Sequence, residues 1–183
     1  MKHLVELQGI SEQELPTIYL DMDQVLCNFL KGADKAVGGS FVKHPSPERW
    51  QILNQTKNFW ANLEWMPGGK QLYRFTSRYD PHILSAYAGK DKNSRVGKMK
   101  WLTKNTKVPR GKIHLVVRSQ KKSFAKGNNV LVDDYIKNIE EWKSNGGIGI
   151  LHENTNKTIQ ELKKLGFKSV SYTHLRAHET NVD

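Results

Sequence analysis

Two acidic residues separated by one position stand at the end of an apolar run, Thr17-Ile18-Tyr19-Leu20-Asp21-Met22-Asp23. Ile18, Tyr19 and Leu20 are continuous rather than alternating apolar residues, the pattern of a strand buried on both faces. A carboxylate at the end of such a strand needs a partner, because burying an unpaired charge is costly. In open α/β sheets that edge is also where ligands bind. Asp21 is therefore a metal ligand, a nucleophile or both, unless the pair only caps a helix starting at Val25. A second run, Asn129-Val130-Leu131-Val132-Asp133-Asp134, ends the same way. Carboxylates converging from two strand ends repel each other and do not all ionise unless a cation joins them. Hard oxygen donors without Cys or His favour Mg²⁺, which keeps several waters and takes one or two protein carboxylates. The chemistry expected at this spot is a magnesium ion beside a phosphate.

The elements that must hold these groups follow from periodicity. Strands are expected at Thr17–Met22, His82–Ala86, Ile113–Arg118, Asn129–Asp133 and Gly147–Leu151, with helices at Lys98–Asn105, Ile136–Ser144 and Thr158–Leu165. Ile139 and Trp142, and then Ile159, Leu162 and Leu165, recur at helical spacing and give each helix a buried stripe. Gly146-Gly147 and Gly166 lie just past helix ends, where a left-handed cap is needed. Alternation of strand and helix predicts an α/β fold, with helices on both faces of a five-stranded parallel sheet.

Between Met22 and His82 the chain is far longer than one crossover helix requires. Helical stretches are expected at Asn28–Val37, Glu48–Asn54 and Lys57–Trp65, separated by Gly38-Gly39-Ser40 and His44-Pro45-Ser46-Pro47. Phe41, Trp50, Phe59, Trp60 and Trp65 give this insertion the aromatic density of a small subdomain core.

Asp21-Met22-Asp23-Gln24-Val25-Leu26-Cys27-Asn28-Phe29 resembles the first motif of the haloacid dehalogenase (HAD) superfamily of phosphohydrolases. More narrowly, it is similar to the 5'(3')-deoxyribonucleotidase branch, whose usual form is D-M-D-G-V-L-A-D-F; Gln24 stands where that branch has Gly, and Asn28 where it has Asp. The resemblance spans Thr17 to Phe167. It implies a Rossmann-like core from residues 1–27 and 67–168, with a helical cap, 28–66, inserted after the first strand. The second motif of the superfamily is a Ser or Thr after an apolar strand. Ser85 fits better than Thr76, because Leu72, Phe75 and Tyr79 share one face of a helix that Pro81 ends. The Ser85 hydroxyl and the Ala86 backbone N–H would then hold phosphate oxygens; otherwise Ser85 only bonds locally at a strand end. The third motif is a lysine, for which Lys121 has the spacing and Lys122 is a substitute. In isolation the two read as solvated lysines opening a helix.

The resemblance further implies a Mg²⁺-dependent nucleotide phosphatase. The metal ligands would be Asp21, the Asp23 backbone carbonyl and a carboxylate of Asp133 or Asp134. Asp21 would be the nucleophile and Asp23 the general acid and base. Phe29, Phe59 and Trp60 would shape the pocket for base and sugar, since flat rings stack on any nucleobase.

At 183 residues the chain fits one domain with its own core. Hydrophobic residues at 37% and a mean hydropathy of −0.65 describe a polar globular protein. No apolar run reaches the ~18 residues of a membrane span, and Met1–Pro16 lacks a signal-peptide pattern. The lone Cys27 forms no intrachain disulfide, which fits the cytoplasm, and reads as a small buried filler rather than a nucleophile. The net charge of +11 exceeds what a mononucleotide requires. Lys90, Lys92, Arg95, Lys98, Lys100, Lys104, Lys107, Arg110 and Lys112 face the single acid Asp91 in one stretch. Such a run is ordinarily a solvated helix face; the alternative is a stripe for nucleic acid, making the protein a strand-end phosphatase or a binding module. A homodimer is left open. Residues 169–183 break the preceding pattern and read as a non-native or disordered tail, in which His174 and His178 are a weak metal pair. His44, His82, His114 and His152 read as structural or exposed.

Overall fold

The computed structural model describes residues 14–169. Residues 1–13 and 170–183, with His174 and His178 and all but the first residue of the expected tail, lie outside the described residues. Five strands, β1 (Ile18–Leu20), β2 (His82–Ala86), β3 (Ile113–Val116), β4 (Val130–Asp133) and β5 (Ile148–Leu151), form one parallel sheet in the order β3-β2-β1-β4-β5. The helices are α1 (Phe29–Val37), α2 (Ser46–Gln55), α3 (Gly69–Thr76), α4 (Ser94–Asn105), α5 (Ile136–Ser144) and α6 (Thr155–Lys164). The expected α/β architecture is the one present.

Strand alternation divides the core between the two faces. Ile18, Leu20, Ile83, Val130 and Val132 pack with Leu72 and Phe75 of α3, Trp101 and Leu102 of α4 and Leu162 of α6. Tyr19, Leu84 and Leu131 point the other way, onto Ile139 and Trp142 of α5. Helices therefore cover both faces, which is why the strands read as unbroken apolar runs.

Several element ends depart from expectation, α4 beginning at Ser94 rather than Lys98 and α6 at Thr155 rather than Thr158. Arg118 does not extend β3 but opens a 3₁₀ stretch, Arg118–Phe124. Lys57–Trp65 contains only a short 3₁₀ turn, Trp60–Asn62, because Phe59 and Trp60 are drawn into the core rather than along one helical stripe. Asp21 and Met22 lie beyond β1, although the Asp21 N–H still donates to the Val132 carbonyl at 2.9 Å. In the insertion α1 packs on α2, and the Trp60–Asn62 turn packs on α4. Among the described residues no helix is long and apolar enough to cross a membrane.

Candidate active site

β1 lies at the centre of the sheet, with β2 on one side and β4 on the other. The chain leaves β1 for β2 and β3, then returns past it to β4, so a crevice opens at the carboxyl ends of these strands. The β1–β2 ladder stops at Leu20↔Ile83 while β2 continues to Ala86, and the edge of Ser85–Ala86 facing β1 has no strand beside it. Into this crevice project Asp21, Asp23, Ser85, Asp133 and Asp134.

One oxygen from each of Asp21, Asp133 and Asp134 lies within 4.8 Å of the others. Lys121, 3% exposed, places its Nζ 3.0 Å from Asp21 Oδ1 and 2.7 Å from Asp133 Oδ2. Burial works against a charged ammonium there, but the two carboxylates outweigh it and hold the Lys121 pKa above its ordinary value. Asp21 Oδ1 also accepts the Met22 N–H at 2.8 Å. No donor among the described residues reaches Asp21 Oδ2, so one oxygen is anchored and the other presented.

Asp133 is fully buried and saturated. Its Oδ2 accepts from Lys121 and, at 2.9 Å, from Asn138 Nδ2; its Oδ1 accepts the Tyr135 N–H at 2.9 Å. Asn138 is fixed in turn by Arg118 at 3.0 Å, and Arg118 pairs with Glu141. Asp134 is more exposed and receives no hydrogen bond from another of the described residues, which leaves it the freer ligand. Burial, then the charge of Asp21, pushes the Asp133 carboxyl up to about 6 against the pull of Lys121. Burial, then Asp21 and Asp133, pushes Asp134 up to about 7, with its solvent access tempering the effect.

These groups fit a divalent ion. Three carboxylates against one ammonium leave two negative charges uncompensated when all ionise, and every donor is a hard oxygen. The set could hold a metal ion.

Asp23 turns to a second cation, Lys98. That side chain, read in the sequence as one of a solvated run, is wholly buried. Its Nζ donates to Asp23 Oδ2 at 2.6 Å, Ser85 Oγ at 3.1 Å and the Ala86 carbonyl at 2.7 Å, and lies 5.1 Å from the centre of the Trp60 ring. The correction has a pattern behind it: Ser94, Lys98, Trp101 and Leu102 are the buried positions of α4, a helical core stripe with one lysine in it. Cys27, also buried, donates weakly to Asp23 Oδ1 at 3.4 Å. Burial, then Asp23, raises its thiol well above the usual range, so it is no thiolate nucleophile.

Ser85 is buried at the end of β2, whereas Thr76 sits inside α3 with its hydroxyl donating back to the Leu72 carbonyl at 3.0 Å. Lys122 is exposed and forms no ion pair among the described residues. Phe29, Phe59 and Trp60 pack on one another: Phe29 stacks on Trp60 at 5.2 Å, and Phe59 meets both edge-on. Phe59 and Trp60 are buried, and Phe29 is half-exposed. Asp91, a buried acid the sequence did not single out, accepts the Trp60 indole N–H at 2.7 Å and ties the insertion to the start of α4.

No protein-family model matches the chain, and no curated protein matches it in sequence. Among solved structures it is similar to a hydrolase from Pseudomonas syringae, at 15% identity and a TM-score of 0.44 over 82% of this chain and 90% of that one. It is also similar to protein tyrosine kinase A of Mycobacterium tuberculosis, at 13% identity and a TM-score of 0.46 over 92% of each. Likeness this faint says nothing of chemistry, which rests on the side chains themselves.

Proposed function

We propose that the chain is a Mg²⁺-dependent phosphohydrolase of the HAD type, acting on (deoxy)ribonucleoside monophosphates through an aspartyl-phosphate on Asp21. The observation that supports this reading most is the meeting of Asp21, Asp133 and Asp134 around Lys121, beside a Ser85–Lys98–Asp23 cluster. The metal would be held by Asp21, Asp134 and the Asp23 backbone carbonyl, with Asp133 orienting Lys121. Bound there, it would supply positive charge to the phosphate and relieve repulsion among the carboxylates.

Asp21 Oδ2 attacks phosphorus while Oδ1 stays fixed by Met22 and Lys121; the P–O bond to the leaving group breaks as the new one forms. Asp23 gives a proton to the departing oxygen, then takes one from the water that hydrolyses the intermediate. The phosphate competes with Asp23 for Lys98, and that competition leaves Asp23 able to carry a proton. Ser85, already accepting from Lys98, has its own O–H free to donate to a phosphate oxygen, as has the Ala86 N–H. Lys121 and Lys98 then stabilise charge on the equatorial oxygens.

The experiment is phosphate release from a panel of nucleotides and sugar phosphates with Mg²⁺ and with EDTA, alongside acid-quench trapping of the phosphoenzyme. Metal-dependent release from nucleoside monophosphates, abolished in Asp21→Asn, is expected. Near-normal turnover by a folded Asp21→Asn would exclude the covalent route. The net charge of +11 favours a second reading, a strand-end phosphatase. Preference for 3'-phosphorylated oligonucleotides in the same panel would select it.

A further inference from the structure

A second charged region lies at the opposite edge of the sheet. A groove of about 660 Å³ runs between α3 and the end of α4, bordered by Pro81 and Pro109, which precede β2 and the turn into β3. The carboxylates sit at the other ends of the strands. His82 to Ala86 alone separates the two regions by roughly 13 Å at ~3.3 Å per residue.

Lys70, Arg74, Lys104 and Lys107 line this groove; all are exposed, and none forms an ion pair with an acid among the described residues. The acid on its wall, Asp80, is already engaged by Lys112. On the same wall Trp65 and Tyr73 lie 6.2 Å apart, half-exposed, with Trp65 braced from beneath by the buried Trp101 at 4.8 Å. Tyr73 is fixed through its hydroxyl, which accepts the Lys107 N–H at 2.8 Å. A second groove of about 690 Å³ shares Arg74 and Ser77 with the first and adds the exposed Lys163. The positive track is therefore continuous across α3.

Unpaired cations spaced along a groove attract successive phosphates, while braced flat rings offer stacking faces to unpaired bases. A duplex hides its base faces and would leave the rings unused. We propose that this groove binds single-stranded nucleic acid, at a site separate from the carboxylate cluster and independent of what that cluster catalyses.

The test is fluorescence anisotropy of a labelled oligothymidylate with the full chain over a KCl series. Engagement of three or four phosphates predicts a fall of log K with log [KCl] of slope about −2 to −3, from ~0.7 per phosphate. Arg74→Glu combined with Lys104→Glu should weaken binding at least tenfold and flatten the slope. Trp65→Leu should weaken it with the slope kept. Asp21→Asn should leave it unchanged. Arg95→Glu combined with Lys100→Glu alters total charge equally outside the groove; circular dichroism verifies the fold of every variant. The proposal is overturned if no salt-dependent binding occurs, or if the two charge-reversed pairs weaken it equally. It is also overturned if oligoglutamate or a duplex of equal length competes as well as the single strand.

Discussion

Replacing Lys98 by Met removes a buried ammonium and keeps most of the volume of its stem. The perturbation strips three acceptors of their donor at once: Asp23 Oδ2, Ser85 Oγ and the Ala86 carbonyl. Removing one partner of a wholly buried ion pair costs about 3–5 kcal/mol. Asp23, with 28% of its side chain exposed, recovers some hydration, which lowers the expectation to about 2–4 kcal/mol. For a chain of this size that is a fall in Tm of roughly 5–15 °C. The decisive assay is a double-mutant cycle by urea unfolding with Asp23→Asn. A neutral amide at position 23 no longer needs a cation. Asp23→Asn should therefore cost about 1–2 kcal/mol less in the Lys98→Met background than in the parent, within the range for contacting charges. Additivity of the two within ~0.5 kcal/mol would refute the pairing. A Lys98→Met protein as stable as the parent would return Lys98 to the solvated face.

Other perturbations test the surroundings of the site. Gln24 has a φ of 60°, a left-handed conformation that favours glycine, while its Oε1 accepts the Leu30 N–H at 2.9 Å. Gln24→Gly should therefore be more stable than Gln24→Ala by about 1 kcal/mol in thermal melts, since both lose the bond and only Gly sheds the strain. His82 Nδ1 and His114 Nε2 lie within hydrogen-bond distance at 2.9 Å; burial, then the neighbouring His114 and Lys112, depresses His82, and burial depresses His114. The unfolded chain binds more protons than the native one just below pH ~6.5, so stability falls as the pH is lowered there, and a His82→Gln/His114→Gln pair should flatten that limb. Asp133 and Asp134, raised to about 6 and about 7, give the opposite sign. The native protein then holds protons that the unfolded chain has lost, so the contribution of these two carboxylates to metal-free stability falls as pH rises from ~4 to 7, against that of the histidines. Asp134→Asn should reduce that fall, and in the parent Mg²⁺ should restore stability at pH 7 and above, read by calorimetry.

The sheet was legible because β1 and β4 are buried on both faces and therefore spelled in unbroken apolar letters, each ending in carboxylates that apolar surroundings would not hold unpaired. Helical spacing of Leu72 and Phe75 likewise kept Thr76 out of the crevice in favour of Ser85. Lys98 was hidden by its company: among so many basic neighbours one more lysine carries no signal, and only its place in the Ser94–Trp101–Leu102 stripe marks it as interior. Asp91 escaped for the converse reason. It looked like a lone counter-charge, whereas its partner is the indole of Trp60, far away in sequence. Contacts of that kind depend on how the insertion folds back on α4, which no local pattern encodes.

The three residues of β1 set which way Asp21 faces. Leu20 pairs with Val132 and Ile83, so the next residue emerges beside Asp133 with its side chain on a defined side of the sheet. Side chains alternate along a strand, so adding or deleting one residue between Ile18 and Leu20 would exchange the places of Asp21 and its neighbour and turn Tyr19 into the wrong half of the core. Length changes should be better tolerated just past Gly39, which a new side chain would not crowd, than in this short strand, from which they should be purged. Selection would thus guard a count of residues there as strictly as it guards their chemistry.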